Sequence, residues 1–441
     1  VLVLLELTGA VVAEPGLAGW PQWGGPNRDF TVEASGLADS WPEGGPKELW
    51  KRELGDGYAS IVSDGSALYT LYRKSPTDDH EITVALDARS GRTIWEHSVP
   101  SAVKQPLPEY GHSPNSTPLI IGEHLYTIGA NALMHCYRKR DGKVMWMHDL
   151  AKEFGAPFPG DFGYANSPVA YKNMIIVPVG VAREERRGGE GVVDVPTAET
   201  GNSGDGRSLV AFDRHSGSVV WQRHRYDVAV SSPVVINLGG QDQLVLFTSL
   251  ELVGIDPNDG DVIWAYTLQG GRYIITPVWI EPDLLFCSSM DQNVGSRMIR
   301  LGRNDGRTVP EELWHSRKVR FRQANPVHIE GLIVGSSGDM SSAIAVGVDA
   351  LTGRRLWGNR GFDLAAYVYA DGKVIFLDWN GHLVLATATR GGLTVHSQFQ
   401  ITERYSMTAP TLVGTTLYVR DRKHIMALDL GAVASETKEN P

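Results

Sequence analysis

Cysteine is almost missing from this 441-residue chain, and its scarcity removes whole classes of protein. Cys136 and Cys287 are the only two; they lie far apart and neither belongs to a C-x-x-C pair, so neither a disulfide-stapled scaffold nor a thiolate metal centre is available. Both are expected to be buried in strands as small hydrophobes. Basic charge is also in deficit: 41 Lys and Arg stand against 51 Asp and Glu, a net charge of -10, which leaves no electrostatic footprint for nucleic acid. After the first thirteen residues no stretch approaches the roughly 20 apolar residues of a membrane span. No amphipathic helix of three turns is legible, and AKEFGA after Leu150 reads as a single turn. The chain has no H-E-x-x-H, P-loop, G-x-S-x-G elbow or dinucleotide fingerprint.

Glycine, with 49 residues, is plentiful, and much of it is periodic. The unit ALDARSGRTIW (Ala85 to Trp95) returns as CYRKRDGKVMW (136 to 146), AFDRHSGSVVW (211 to 221), GIDPNDGDVIW (254 to 264) and GVDALTGRRLW (347 to 357). Degenerate copies are RLGRNDGRTVPEELW (300 to 314), LATATRGGLTV (385 to 395), which has neither Asp nor Trp, and ALDLG (427 to 431). Each unit reads as the end of one strand, a tight turn whose Gly takes positive φ, and a returning strand that carries the Trp. DPNDGD (Asp256 to Asp261) falls on this turn and lacks calcium-loop spacing. The indoles of Trp50, Trp95, Trp146, Trp221, Trp264, Trp314 and Trp357 are assigned to packing between sheets.

A second mark precedes each unit at the start of its first strand: NSTP, NSP, SSP, ITP, ANP and TAP, with Ser60 and Ala366 in the matching places without proline. Counted from these, eight units are spaced 41 to 65 residues apart, and roughly 40 to 50 residues make a four-stranded blade. The expected fold is therefore all-β: an eight-bladed β-propeller of four-stranded antiparallel blades. The last unit stops before its Trp strand, while Glu48-Leu49-Trp50 is a Trp strand without a partner. Pairing the N- and C-terminal strands would close the ring and leave no open sheet edge.

Residues 1–13, VLVLLELTGAVVA, read as a truncated signal peptide, which would make the protein periplasmic or secreted. Residues 14–47 form an irregular segment whose Trp20, Trp23 and Trp41 need an apolar face to cover. Residues 48–431 are the propeller and 432–441 a tail. The polar, Gly-rich stretch 182–207 is an insertion loop between two strands of the third unit. A monomer is expected.

The A-x-D-x-x-[ST]-G-x-x-x-W repeat, with the leader WPQWGGPNRDF and WPEGGPKELW, resembles the tryptophan-docking repeat of the pyrroloquinoline-quinone (PQQ)-like propellers. That superfamily includes PQQ alcohol dehydrogenases and the B lipoprotein of the outer-membrane β-barrel assembly machine. The resemblance covers nearly the whole mature chain and implies the fold; it says little about activity. Its dehydrogenase branch implies PQQ with calcium as cofactor. The vicinal disulfide of many such enzymes has no counterpart here, nor does their catalytic and metal set map onto these residues.

In a closed propeller, ligand contacts are sought in the loops just before the marks. These supply Tyr58, His112, Asn115, Asp161, Tyr164, Asn166, Arg272, Tyr273, Arg322, Gln323, Asp363, Tyr367, Arg404 and Tyr405. Aromatic rings would stack a flat or polyhydroxylated ligand, and converging arginines, Arg320 among them, call for an anion or for carboxylates such as Asp161, Asp363 or Glu403. His112 alone cannot define a zinc site. Three functions stay open: a scaffold that binds a small ligand or an envelope protein; a PQQ-dependent oxidoreductase with Asp363 or Asp161 as base; and a polysaccharide-binding or polysaccharide-cleaving propeller. No catalytic residue is assigned.

Overall fold

The computed structural model describes residues 19–101, 113–155, 163–180, 207–268, 270–339, 342–402, 406 and 408–432. The leader 1–13, nearly all of loop 182–207, the tail after 432, and His112, Asp161, Glu403, Arg404 and Tyr405 lie outside the described residues.

The strands form eight four-stranded antiparallel sheets arranged as the blades of a ring, with one short helix among the described residues, Leu150–Phe154, capped by Asp149 and Gly155. The innermost strands of blades 1 to 8 are Val62–Ser63, Leu119–Ile121, Val169–Tyr171, Val234–Leu238, Val278–Ile280, Val327–Ile329, Ala365–Ala370 and Thr411–Val413. In blade 8 the outermost strand is Lys47–Glu53, paired antiparallel with His424–Asp429. The two ends of the sequence thus share one sheet, as the mismatched repeats require.

The second and third strands read as unbroken apolar runs, such as ALYTLY and LVAFD, because each blade is covered on both faces by its neighbours. One core cluster joins Val169, Ile176 and Ala211 of blade 3 to Leu244, Leu246 and Val253 of blade 4. The outermost strands face solvent at the rim and alternate, as in Thr93–Pro100, where Trp95 is buried between exposed neighbours. Cys136 and Cys287 sit buried in strands, and burial raises the Cys136 thiol to about 12.

Each outer strand pair carries a bulge beside the Trp position; Ala85 faces Trp95 while Leu86 faces Thr93. The bulge re-aims the indole along the ring. Trp50 donates its Nε1–H to the Ala88 carbonyl of blade 1 at 3.0 Å, Trp95 to Lys139 at 2.6 Å, Trp146 to Arg214 at 3.2 Å, Trp221 to Pro257 at 3.3 Å and Trp314 to Ala350 at 2.8 Å. Each of these five acceptors is the fourth residue of the next blade's unit, whereas Trp357 donates to the fifth residue of the blade 7 unit, Thr389, at 2.8 Å. The indole also lies on that unit's glycine: a β-carbon at Gly91, Gly142, Gly217, Gly260 or Gly353 would meet an indole atom at 2.5–2.9 Å. The same glycines have φ between +67 and +82, so two constraints select glycine there. The unit's Asp shapes the turn: Asp87 Oδ1 accepts from the backbone and hydroxyl of Ser90, and these bonds hold its carboxyl below the usual range.

Trp264 departs from the pattern. The hairpin of blade 5, Ser296–Asn304 with Arg307–Ser316, is longer, and its turn glycine, Gly306, lies clear of any indole. Trp264 instead folds over Gly254 of its own blade and donates to Gln243 Oε1 at 2.7 Å, while Gln243 Nε2 bonds Thr308 of blade 5. The ring joint between blades 8 and 1 has a further tie. Buried Arg420 of blade 8 donates to the carbonyls of Ala59, Leu71 and Gly55 and to Thr70. Desolvation lowers its pKa only to about 10, so it remains a cation at neutral pH.

Replacing Trp95 by Ala is expected to cost about 3 kcal/mol by loss of a buried indole. Gly142→Ala, which leaves Trp95 in place, is expected to cost about 1–3 kcal/mol through strain and overlap. Urea unfolding would check both, and an Ala tolerated at Gly142 without loss would contradict the stacking role.

Candidate functional site

The marks before the inner strands lie around the channel at one face, here termed the mouth. Their hydroxyls tie neighbouring blades: the N–H of Ser60 donates to Thr117 Oγ1 at 3.2 Å, that of Thr117 to Ser167 Oγ at 3.0 Å, and that of Ser167 to Ser232 Oγ at 2.8 Å. Asn325 plays the same part for Thr276 at 3.1 Å. A short polar side chain is needed because each N–H is buried and has no strand partner.

The irregular N-terminal segment covers the opposite face as a strap. Trp20 exchanges backbone bonds with Ser63 of blade 1, and Ile120 of blade 2 donates to Pro21. Trp23 then reaches across the axis, its Nε1–H bonded to Thr276 Oγ1 of blade 5 at 2.9 Å. The strap returns to blade 7, where Phe30 and Val32 bond Tyr369, and to blade 8, where Ala38 donates to Leu430. Trp23 and Phe30 pack edge to face, 5.0 Å apart, so the channel is filled from this side by aromatic side chains.

At the mouth the polar groups gather on blades 5 and 6. Arg272 is exposed and holds Asp291 by its guanidinium at 2.6 Å and by its backbone N–H at 2.7 Å. Arg320 and Arg322 share Asp339 at 3.0 and 2.8 Å, and Arg320 also donates to the Met290 carbonyl, linking the two blades. The Arg272 bonds hold Asp291 below the usual carboxylate range, and the Arg320 bond does the same for Asp339. Three guanidinium groups therefore face two carboxylates, with Arg322 Nε and Gln323 Oε1 buried without a partner.

The carboxylates come from loops that the sequence reading passed over, those joining the second and third strands of each blade. They carry a signal, Ser-Ser-x-Asp at Ser288 to Asp291 and again at Ser336 to Asp339. In both copies the first serine accepts from the next blade, at Phe321 N and Ala365 N. The second serine holds its own blade's mouth loop, at the Arg272 carbonyl and the Arg320 N–H. Asp363, expected to meet an arginine, instead accepts from Asn380.

The aromatic candidates divide differently. Tyr164 is buried with its hydroxyl on the Pro178 carbonyl at 2.6 Å. Tyr273 stacks on Phe247 at 4.3 Å and Tyr367 on Phe376 at 4.9 Å, both inside blades. Asn166 spends its amide on the carbonyls of Ala229 and Ser231, joining blades 3 and 4. Tyr58 is half-buried, its N–H on the Pro114 carbonyl at 2.8 Å, and Asn115 is half-buried one residue further on. Gln323 borders a cavity of about 10 Å³ with Ala366 and Ser406, room for no more than a water. The structure thus sets Arg272 and Arg322 in ion pairs on the neighbouring mouth loops of blades 5 and 6, and commits Tyr164, Asn166, Tyr273 and Tyr367 to packing. Among the described residues three metal-ligating side chains meet only at Asp78, Asp79 and His80, in a loop of blade 1.

The family described as outer membrane protein assembly factor BamB matches residues 78–359, more than half of the chain. The chain belongs to that family. Its fold is similar to the crystal structure of BamB from Moraxella catarrhalis, with TM-score 0.56 and 14% identity over 87% of this chain and 99% of that one. It is also similar to the quinohemoprotein alcohol dehydrogenase ADHIIG of Pseudomonas putida HK5, with TM-score 0.51 and 12% identity over 96% and 82% of the two chains. A third likeness is to the computationally designed protein Ika8, at TM-score 0.54 and 9% identity over 87% and 99%. No curated protein matches the sequence. At these identities the structural likenesses establish the propeller and leave activity to the residues. For this BamB-family chain, no helix among the described residues is long and apolar enough to cross a membrane.

The mouth pairs give a pH signature. Because Asp291 and Asp339 are held below the unfolded value near 4, their contribution is complete above that value and is lost as pH falls through the lower folded values. Between about pH 5 and about pH 2 the parent chain is expected to lose more Tm than Asp291→Asn/Asp339→Asn. Parallel Tm curves for the two would refute the pairing.

Proposed function

We propose that this chain is an exported scaffold that binds an acidic segment of an envelope protein through the mouth of its propeller. The observation that carries this reading is the Arg272, Arg320 and Arg322 group on blades 5 and 6: three guanidinium groups against two carboxylates, with Arg322 Nε left without an acceptor. A carboxylate from a partner would balance the charge by pairing with the exposed Arg272 guanidinium, in a geometry that arginine favours. Binding by loops on a rigid ring needs no moving part. The family description, an outer-membrane assembly factor, supports an envelope setting and a protein partner rather than a small substrate. The oxidoreductase alternative draws little from the site, since Tyr164, Tyr273 and Tyr367 have no open faces and Asp363 is engaged by Asn380.

Photo-crosslinking in the envelope of the producing cell would test the reading, with the crosslinker at position 272 or, as control, at Leu351 on the opposite face. A protein adduct at 272, absent at 351 and lost on Arg320→Glu/Arg322→Glu, is the expected result. Adducts at 351 alone, or adducts at 272 that ignore the charge reversal, would overturn it. So would dye reduction with alcohols or aldoses after addition of PQQ and Ca²⁺.

A further inference from the structure

The strap carries a cation that no described residue balances. Both its ends are fixed. Trp20 is held by Ser63 of blade 1, and the Trp41 N–H donates at 2.7 Å to Ser397 Oγ of blade 7, where the register sets serine in the place of a docking Trp. Between them residues 24–30 fold back on themselves, closed by the Phe30 N–H on the Gly24 carbonyl at 2.9 Å and the Arg28 N–H on the Gly25 carbonyl at 3.3 Å. Arg28 and Phe30 take φ of +63 and +61, a region that L side chains rarely adopt. A β-carbon at Gly24 would meet the Arg28 backbone at 2.6 Å, so the turn is tight. Arg28 is thus held where the strap crosses the axis, between Trp23, bonded to blade 5, and Phe30, bonded to blade 7.

Among the described residues the Arg28 guanidinium has neither a hydrogen-bond acceptor nor an ion-pair partner, and burial alone acts on its pKa. Asp29, next in sequence, turns its carboxylate to the Thr31 N–H at 2.8 Å instead. Burial lowers the Arg28 pKa to about 10, as far as that of Arg420. The two differ in their surroundings. Arg420 donates to Ala59, Thr70, Leu71 and Gly55, and Asp56 and Asp421 work against its desolvation; no carboxylate does so for Arg28. Arg28 is also half-buried, whereas Arg420 is sealed. A side chain that protein encloses on most sides, yet solvent still reaches, lines a narrow wet space, and the place of Arg28 in the strap makes that space the channel beside Trp23 and Phe30. A cation without a partner is costly there.

We propose that Arg28 is an anion site inside the propeller, its guanidinium holding one small oxyanion, a carboxylate or a phosphate, in the channel between strap and blades. The planar fork of a guanidinium takes two oxygens of either group at once, and the anion supplies the charge and the acceptors that the described residues do not. The site belongs to the strap, on the side away from Arg272, Arg320 and Arg322, and is independent of the function proposed at the mouth. Occupancy offsets the desolvation of the cation and so stabilises the strap in its course across the ring.

Inorganic phosphate and acetate are the probes, added to the full chain in a low-salt buffer and followed by thermal unfolding and isothermal calorimetry. The Tm of the parent is expected to rise with probe concentration and to saturate, as for a ligand that only the folded state binds. The probe with the tighter binding tells a phosphate source from a carboxylate one. Arg28→Asn removes the guanidinium and suits the positive φ; it is expected to weaken binding about tenfold or more and, without probe, to unfold no earlier than the parent. Arg28→Lys keeps the charge but not the fork and is expected to bind more weakly than the parent, a reading that decides the matter should Arg28→Asn fail to fold. Arg272→Gln is expected to leave binding unchanged, which separates this site from the mouth. No saturable rise in Tm, binding by Arg28→Asn or Arg28→Lys equal to the parent's, or binding lost in Arg272→Gln would overturn the proposal.

Discussion

An indole resting on a glycine of the neighbouring sheet is the contact on which this ring depends. Blades diverge from the axis, so the gap between them widens outward, and a large flat side chain near the rim fills that wedge. Glycine is required beneath it because a β-carbon would stand in the plane of the ring, and the turn's positive φ asks for glycine as well. The Nε1–H then finds a carbonyl one blade on, and at five junctions the same three-part contact recurs. Where the next hairpin is longer and its Gly306 lies clear of the indole, Trp264 turns back on its own blade. Where the Trp is replaced by Ser397, a strap from outside the repeat takes over the bonds.

Near the axis a different economy holds. The inner strands are short and crowded, leaving room only for hydroxyls and a single amide, and these pass hydrogen bonds from blade to blade. The closing joint cannot rely on chain continuity and is fastened by a shared sheet, by Thr411 on the Ile61 carbonyl and by the buried guanidinium of Arg420. A rigid ring results, with its channel filled from one face by Trp23 and Phe30 and its other face left to variable loops.

Legibility followed this division. Blade number, strand pairing and closure could be read because the repeat marks them in one dimension: a Trp at a fixed distance from a Gly, and an unpaired ELW answering an incomplete ALDLG. Site residues were harder to read because an aromatic near a mark serves equally as core or as ligand platform. Tyr273 and Tyr367 turn inward onto Phe247 and Phe376, residues remote from any motif. The arginines stood out, but their partners Asp291 and Asp339 lie in a second set of loops that joins the first only when strands run antiparallel across each blade.

The sequence by itself determined the architecture, since eight copies of a strand and turn, seven of them with an indole, bury their apolar faces only by stacking, and only a closed ring hides every edge. Tertiary structure alone decided the course of the strap, with Arg28 in it, and the pairing of mouth charges. Each of these depends on distances between blades, from blade 1 to blade 5 for Trp23 and from blade 5 to blade 6 for the arginines. Periodic sequence encodes contacts between neighbours, whereas contacts across the axis have no period to betray them.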